Sequence, residues 1–189
     1  MPAAEPFKIA FLGSHGVGKT TLCYGLAARL KARDLACEVV HEVARRCPLP
    51  INRETTAAAQ AWILHTQIAE ELVAGSRYAV VLCDRSALDN YVYLLLAEGR
   101  HPLLESLVDA WMGTYGLLIE VPIVEQPSPD GIRAADPLFQ RAVEERLRRE
   151  VGRRGLATVR LDPADRPGWL ERAEAAALER LKPAQLTLL

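Results

Sequence analysis

Eight residues near the start of the sequence combine glycine, lysine and threonine in a pattern typical of phosphate binding. Residues 13–20 read G-x-x-x-x-G-K-T, between an apolar run at 7–12 and an amphipathic segment. Glycines let the backbone turn tightly, so that its N–H groups point at a phosphate, and a following helix N-terminus adds partial positive charge. The residues predicted to contact a nucleotide are Gly13, Ser14, His15, Gly16, Val17, Gly18, Lys19, Thr20, Thr21 and Arg141.

Three side chains carry the chemistry that a bound nucleotide requires. Lys19 supplies a full charge to the outer phosphates, and the Thr20 hydroxyl is placed to ligate Mg²⁺. Asp84 follows the apolar run 79–83, and a carboxylate at the end of a buried strand can hold Mg²⁺ directly or through water. The alternative for Asp84 is to cap the helix that begins near Ser86. We therefore predict ATP and Mg²⁺ as cofactors, with Thr20 and Asp84 as metal ligands. The sequence lacks the N-K-x-D motif by which G proteins recognise their base, which favours ATP over GTP.

Two further charged residues near strand ends, Glu42 and Arg85, are candidates for catalysis. Glu42 can take a proton from a substrate hydroxyl, a role that Asp84 could also fill, or it can form a structural ion pair with Arg45 or Arg46. Arg85 has a planar guanidinium suited to phosphate or carboxylate, and its alternative is a surface ion pair. The sequence leaves these alternatives open.

Residues 123–136 are rich in proline, glycine and charge, which predicts a loop. Together with the start of the following helix, this loop forms a predicted lid at about 123–141. Arg133 lies beside Gly131 in this segment and is predicted to neutralise charge on a transferring phosphoryl group. Arg141 projects off the apolar stripe of the next helix, so contact with the nucleotide and simple exposure are equally good interpretations. Lys19, Glu42, Asp84, Arg85 and Arg133 are the predicted catalytic residues.

Four aromatic side chains have less specific interpretations. His15 is expected only to fill a variable position of the loop. Trp62, Tyr91 and Tyr93 either line an acceptor pocket or pack in the core, and core packing is the default.

Apolar strand-like runs alternate with amphipathic helical segments along the chain. This predicts a single α/β domain whose parallel sheet is covered by helices on both faces. Ligands of such sheets bind beyond the carboxyl ends of the strands, where the candidate residues lie. Strands are predicted at about 7–12, 36–41, 79–83, 117–121 and 156–161. Helices are predicted at about 19–33, 54–74, 87–98, 103–114, from 136–137 onward, and at 169–181.

The amino-acid composition and net charge limit which kinds of binding partner are expected. The 189 residues are 50% hydrophobic and carry a net charge of −1, so no bulk attraction to nucleic acid or membrane is expected. No apolar run approaches membrane-spanning length. The four cysteines have no C-x-x-C spacing, which favours reduced thiols in a cytoplasmic protein. Oligomeric state cannot be predicted from these features.

Taken together, the motifs resemble the AAA-domain P-loop family that includes the nicotinamide riboside kinase domain of bacterial NAD regulators. They are similar more broadly to nucleoside and nucleotide kinases of the thymidylate kinase type. The resemblance rests on residues 13–20, 39–46, 52, 60, 62–65, 83–91 and 130–133. It implies a three-layer P-loop NTPase fold with a five-stranded parallel sheet in the order 2-3-1-4-5, and an acceptor site near Glu42, the long helix and Asp84-Arg85. The extra N-terminal domains of the NAD regulators are missing, so no regulatory DNA-binding role is expected.

Two functions follow as hypotheses. The first is a phosphotransferase that moves the γ-phosphate of ATP to a small acceptor, a nucleoside or nucleotide. The alternative is a nucleotide-dependent binding module or switch without kinase activity.

Overall fold

A five-stranded parallel sheet forms the centre of the computed structural model, which describes residues 5–124 and 136–181. The strands are β1 (Phe7–Leu12), β2 (Cys37–Val40), β3 (Val80–Cys83), β4 (Tyr115–Glu120) and β5 (Val159–Arg160). Their order across the sheet is β2-β3-β1-β4-β5, and every neighbouring pair is parallel. The predicted fold class and strand order are confirmed.

Six α-helices connect and cover the strands in the described part of the chain. They are α1 (Lys19–Lys31), α2 (Ala57–Gly75), α3 (Ala87–Ala97), α4 (Pro102–Met112), α5 (Pro137–Arg153) and α6 (Trp169–Arg180). Short 3₁₀ turns occur at Val43–Arg46, Asn52–Glu54 and Arg166–Gly168.

The sheet separates two hydrophobic cores, because successive side chains of a strand point to opposite faces. In β1, Ile9 and Phe11 pack with the core of α1 and α6. Ala10 and Leu12 pack with the core of α2, α3, α4 and α5. Burial on both faces explains why the strands are continuously apolar in sequence.

Two predicted elements have boundaries that differ from the structure for identifiable reasons. Helix α2 begins at Ala57 instead of residue 54, since the Thr56 side chain caps it by accepting a hydrogen bond from the Ala59 N–H at 3.2 Å. Strand β5 is shorter than predicted, because only Val159 and Arg160 pair with β4 at this edge of the sheet.

The start of α5 agrees with its sequence. The Asp136 carboxylate accepts hydrogen bonds from the Leu138 and Phe139 N–H groups, and Pro137 occupies the first turn. Most of the predicted lid at 123–141, including Arg133, lies outside the described residues, and its last five residues belong to α5. No described helix is long and apolar enough to cross a membrane.

Candidate functional site

The loop between β1 and α1 depends on glycines at two positions. Gly18 has φ of 94°, a left-handed conformation that side chains disfavour. A Cβ on Gly13 would lie 2.5 Å from the Val121 carbonyl oxygen, closer than real Cβ contacts. Only glycine therefore lets the loop pass beneath the end of β4. The Val17 side chain packs into the core and anchors the loop from inside.

Lys19 is buried inside this loop. Its Nζ donates hydrogen bonds to the carbonyl oxygens of Gly13 at 2.6 Å and Ser14 at 2.5 Å. Burial, and then the nearby Arg85 guanidinium, lower the Lys19 pKa from 10.5 to about 7, against the opposing charge of Asp89. The amine is thus held where a phosphate charge would favour its protonated form.

Thr20 and Asp84 meet at the carboxyl ends of the strands. The Thr20 hydroxyl donates to the Asp84 carboxylate at 2.8 Å, across 64 residues of sequence. Asp84 is buried, and it does not cap α3: Ser86 does, in a capping box with Asp89. The paired hydroxyl and carboxylate oxygens are the hard ligands that Mg²⁺ prefers, so this donor set fits the predicted metal.

Asp89 is a site residue that the sequence analysis missed. Its Oδ1 accepts a hydrogen bond from the Gly13 N–H at 2.8 Å, and its Oδ2 accepts from the Ser86 N–H and hydroxyl at 3.1 and 2.6 Å. Burial raises the Asp89 pKa above 3.8. The carboxylate ties the phosphate-binding loop to the start of α3. The S-x-x-D spacing of the capping box was the only local signal for it.

Glu42 joins two arginines of different exposure. Its Oε1 accepts from Arg85 Nε at 2.6 Å, and its Oε2 accepts from Arg45 Nε at 2.7 Å. The Arg85 side chain is 7% exposed and lies over the Tyr93 ring, whereas Arg45 is 39% exposed. The alternative of a surface ion pair is therefore wrong for Arg85, whose pair is buried. The predicted pairing of Glu42 with Arg45 is present, while Arg46 pairs with Glu70.

Two adjoining pockets share one wall. The wall consists of Glu42, Arg45 and Arg85. On one side, the phosphate pocket is further lined by Gly16, Gly18, Lys19, Thr20, Thr21 and Asp84. On the other side, a cavity with about 440 Å³ of space, its open mouth included, is further lined by His15, Ala44, Ile51, Asn52, Gln60, Ile63, Asn90 and Tyr93. We call this second space the acceptor cavity.

Several residues of the acceptor cavity had a different expected role. The His15 ring does more than fill a loop position: it is buried, and its Nδ1 lies 3.2 Å from the Tyr93 hydroxyl. Tyr93 packs in the core, as expected, and lines the cavity as well. Asn90 was part of the segment 83–91 that carries the family resemblance, but no role was predicted for its side chain.

The two remaining predicted arginines are not brought into this arrangement. Arg133 lies outside the described residues. Arg141 is exposed on α5 and lines neither pocket, as far as the described residues form them.

The sheet order, the glycine loop and the Asp84 carboxylate define a protein with a P-loop NTPase fold. The chain belongs to the AAA domain family, which matches residues 8–168. The resemblance inferred from the sequence is confirmed at this level. No curated protein matches the chain.

Solved structures are similar across most of the chain. One is deoxyadenosine kinase from M. mycoides with bound dATP, at 14% identity and TM-score 0.62, covering 91% of this chain and 99% of that chain. A second structure of the kinase, with dCMP and dCDP bound, has TM-score 0.61 and 14% identity, covering 92% of this chain and 98% of that chain. NadR in complex with NAD and AMP-PNP has 22% identity and TM-score 0.67, covering 94% of this chain and 50% of that chain. The chain therefore spans about half the length of NadR. At these identities the likeness shows the fold.

Proposed function

We propose that this protein is an ATP- and Mg²⁺-dependent phosphotransferase whose acceptor is a small nucleoside or nucleotide. One observation carries the proposal: a phosphate pocket and an acceptor cavity meet at Glu42, Arg45 and Arg85. A binding module needs only the first pocket. A transferase needs both, with the reacting groups adjacent across a charged wall.

In the proposed reaction, the acceptor hydroxyl oxygen forms a bond to the γ-phosphorus of ATP. The bond from that phosphorus to the bridging oxygen breaks, ADP leaves, and the hydroxyl proton passes to Glu42 or Asp84. Lys19 and the loop N–H groups bind the outer phosphates, and Arg85 neutralises charge that develops on the transferring group. Glu42 holds Arg85 in place through its 2.6 Å hydrogen bond.

Thr20 and Asp84 are the residues that would hold Mg²⁺, which supplies charge neutralisation at the phosphates when bound. Arg133 and Arg141 remain proposals for a lid that excludes water. The structural neighbours support the acceptor class, since two of them are structures of a deoxyadenosine kinase, one with dATP bound and one with dCMP bound.

The test measures acceptor-dependent ADP production with ATP, Mg²⁺ and a panel of nucleosides and nucleotides. Lys19→Ala should abolish transfer and leave the circular dichroism spectrum unchanged. Lys31→Ala, on the exposed end of the same helix, is the matched control and should keep full activity.

Two outcomes contradict the proposal. One is a folded Lys19→Ala protein with full activity. The other is intact ATP binding with no acceptor-dependent ADP across the panel, which would favour the nucleotide switch.

A further inference from the structure

A buried polar network connects the start of β1 with the acceptor cavity. At its centre, the Glu71 carboxylate on α2 accepts four hydrogen bonds. The donors are Lys8 Nζ at 2.9 Å, Trp111 Nε1 at 2.7 Å, the Tyr115 hydroxyl at 2.7 Å and Gln67 Nε2 at 2.9 Å. The Lys8 and Glu71 side chains are 7% and 0% exposed. With four donors around it and a lysine as partner, Glu71 acts only as an acceptor.

The Glu71 carboxylate determines which way the Gln67 amide points. Gln67 Nε2 lies between Glu71 Oε1 at 2.9 Å and the Arg85 carbonyl oxygen at 2.8 Å, and both of these atoms can only accept. Turning the amide over would place its oxygen against two other oxygens. The Gln67 Oε1 atom must therefore face the other way, towards Asn90.

The orientation of the Gln67 amide in turn determines the orientation of the Asn90 amide. Asn90 Nδ2 donates to Gln67 Oε1 at 2.6 Å, and Asn90 also lines the acceptor cavity. Because Nδ2 is held against Gln67, the carbonyl oxygen Oδ1 of the same planar amide faces away from Gln67 and is the acceptor that Asn90 offers to the cavity. Gln67 itself lines neither pocket of the described residues.

A second amide of the cavity has the same polarity. Gln60 Nε2 donates to the Thr55 hydroxyl at 2.8 Å. Gln60 Oε1 is buried and has no hydrogen-bond partner among the described residues. A buried acceptor of this kind needs a donor from a ligand or water.

We propose that the buried Lys8–Glu71 pair, acting through Gln67, makes the acceptor cavity present carbonyl oxygen and so selects acceptors that offer an amino or hydroxyl hydrogen there. The inference rests on the proposed function, because it concerns the acceptor side of the same site. Gln67 is thereby a positioning residue for specificity.

The experiment uses two pairs of nearly isosteric nucleosides, cytidine with uridine and adenosine with inosine. Each pair exchanges the exocyclic amino donor for a carbonyl acceptor, and the neighbouring ring nitrogen changes from an acceptor to an N–H donor. Binding is measured by calorimetry, without turnover. Wild-type protein should bind the amino member of at least one pair about tenfold or more tightly, as expected when the other member leaves a buried oxygen facing an oxygen.

Variants separate positioning from general structure. In Gln67→Met the amide of Asn90 can turn over, so the ratio of the two dissociation constants within a pair should fall towards one. Adding Asn90→Asp to Gln67→Met should restore the preference, because both terminal atoms of that side chain are then oxygens. Thr66→Val is the matched control, since Thr66 faces the groove between α2 and β2, and it should leave the preference unchanged.

Several results overturn the inference. For wild-type protein, these results are equal or reversed affinity for the two members of both pairs, or no binding of any of the four nucleosides while ATP still binds. For the variants, they are an unchanged preference for the amino member in Gln67→Met, or no recovery of that preference in a folded double variant. Transfer without this preference would overturn the inference alone, and preference without transfer would overturn the proposed function alone.

Discussion

The phosphate pocket and the acceptor cavity share a wall but are built by different means. The phosphate pocket comes largely from one contiguous stretch, residues 13–21, whose shape follows from glycine backbone geometry. The acceptor cavity draws on residues from 15 to 93, and its polarity depends on side chains in a buried network. A contiguous backbone loop recognises a group common to all nucleotides. A cavity assembled from several elements can change its specificity through side chains while the phosphate pocket stays the same.

The largest expected effect tests the shared wall. Arg85→Gln removes the buried partner of Glu42 and should destabilise the protein by about 3–5 kcal/mol, because the desolvated carboxylate loses its buried charge partner and keeps the exposed one, Arg45. Arg45→Gln removes the exposed partner of the same carboxylate and should cost at most about 1 kcal/mol. Urea unfolding of both variants gives the comparison. Equal losses would show that burial does not distinguish the two pairs.

A smaller effect is expected from the backbone of the phosphate pocket. Gly13→Ala places a Cβ 2.5 Å from the Val121 carbonyl oxygen, so the loop must shift. We expect a loss of about 1–3 kcal/mol in unfolding free energy, as for other overpacked sites, together with weaker ATP binding. Gly152→Ala is the control: this glycine lies in α5 with no atom within 4 Å of the added Cβ, and the change should stabilise by up to about 1 kcal/mol. Unchanged ATP affinity in Gly13→Ala would contradict the role given to this glycine.

The smallest expected effect is the uptake of a proton by Lys19 when ATP binds. The Lys19 pKa of about 7 leaves the amine mostly neutral at pH 8, and a bound phosphate anion raises that pKa. ATP binding at pH 8 should therefore take up close to one proton. Affinity should fall by up to about tenfold per pH unit above pH 7, until the pKa of the bound state is reached. Calorimetry in buffers of different ionisation enthalpy measures the uptake, and Lys19→Met should remove it. The same uptake in Lys19→Met would assign the proton to another group.

The sequence predicted most of what depends on local spacing. The glycine loop, the strands and the start of α5 at Asp136-Pro137 each follow from patterns within a few residues. Contacts between distant elements could not be predicted. The Asp89 carboxylate accepts a hydrogen bond from the Gly13 N–H across 76 residues. Gln67 on α2 determines the amide orientation of Asn90 on α3.

The structure distinguishes between the alternatives for a charged residue where it shows whether that side chain is buried or exposed. Arg85 and Arg45 are both close in sequence or space to Glu42, and nothing in the residue types shows that one is buried and the other exposed. The roles of Arg133 and Arg141 stay predictions. Whether Glu42 or Asp84 receives the proton also stays open, because both carboxylates are already engaged by other side chains.

The position of β1 in the sheet has a consequence for how the chain folds. Strand β1 carries the phosphate-binding loop at its end, yet its neighbours are residues 80–83 on one side and 115–120 on the other. The first strand in the chain therefore completes its pairing only when the fourth is present. Such non-local contacts slow folding, because loop entropy is lost before the contacts form. During synthesis, the loop at residues 13–20 is made before residues 80–83 and 115–120, so the nucleotide site can assemble only after both of these neighbouring strands have been made.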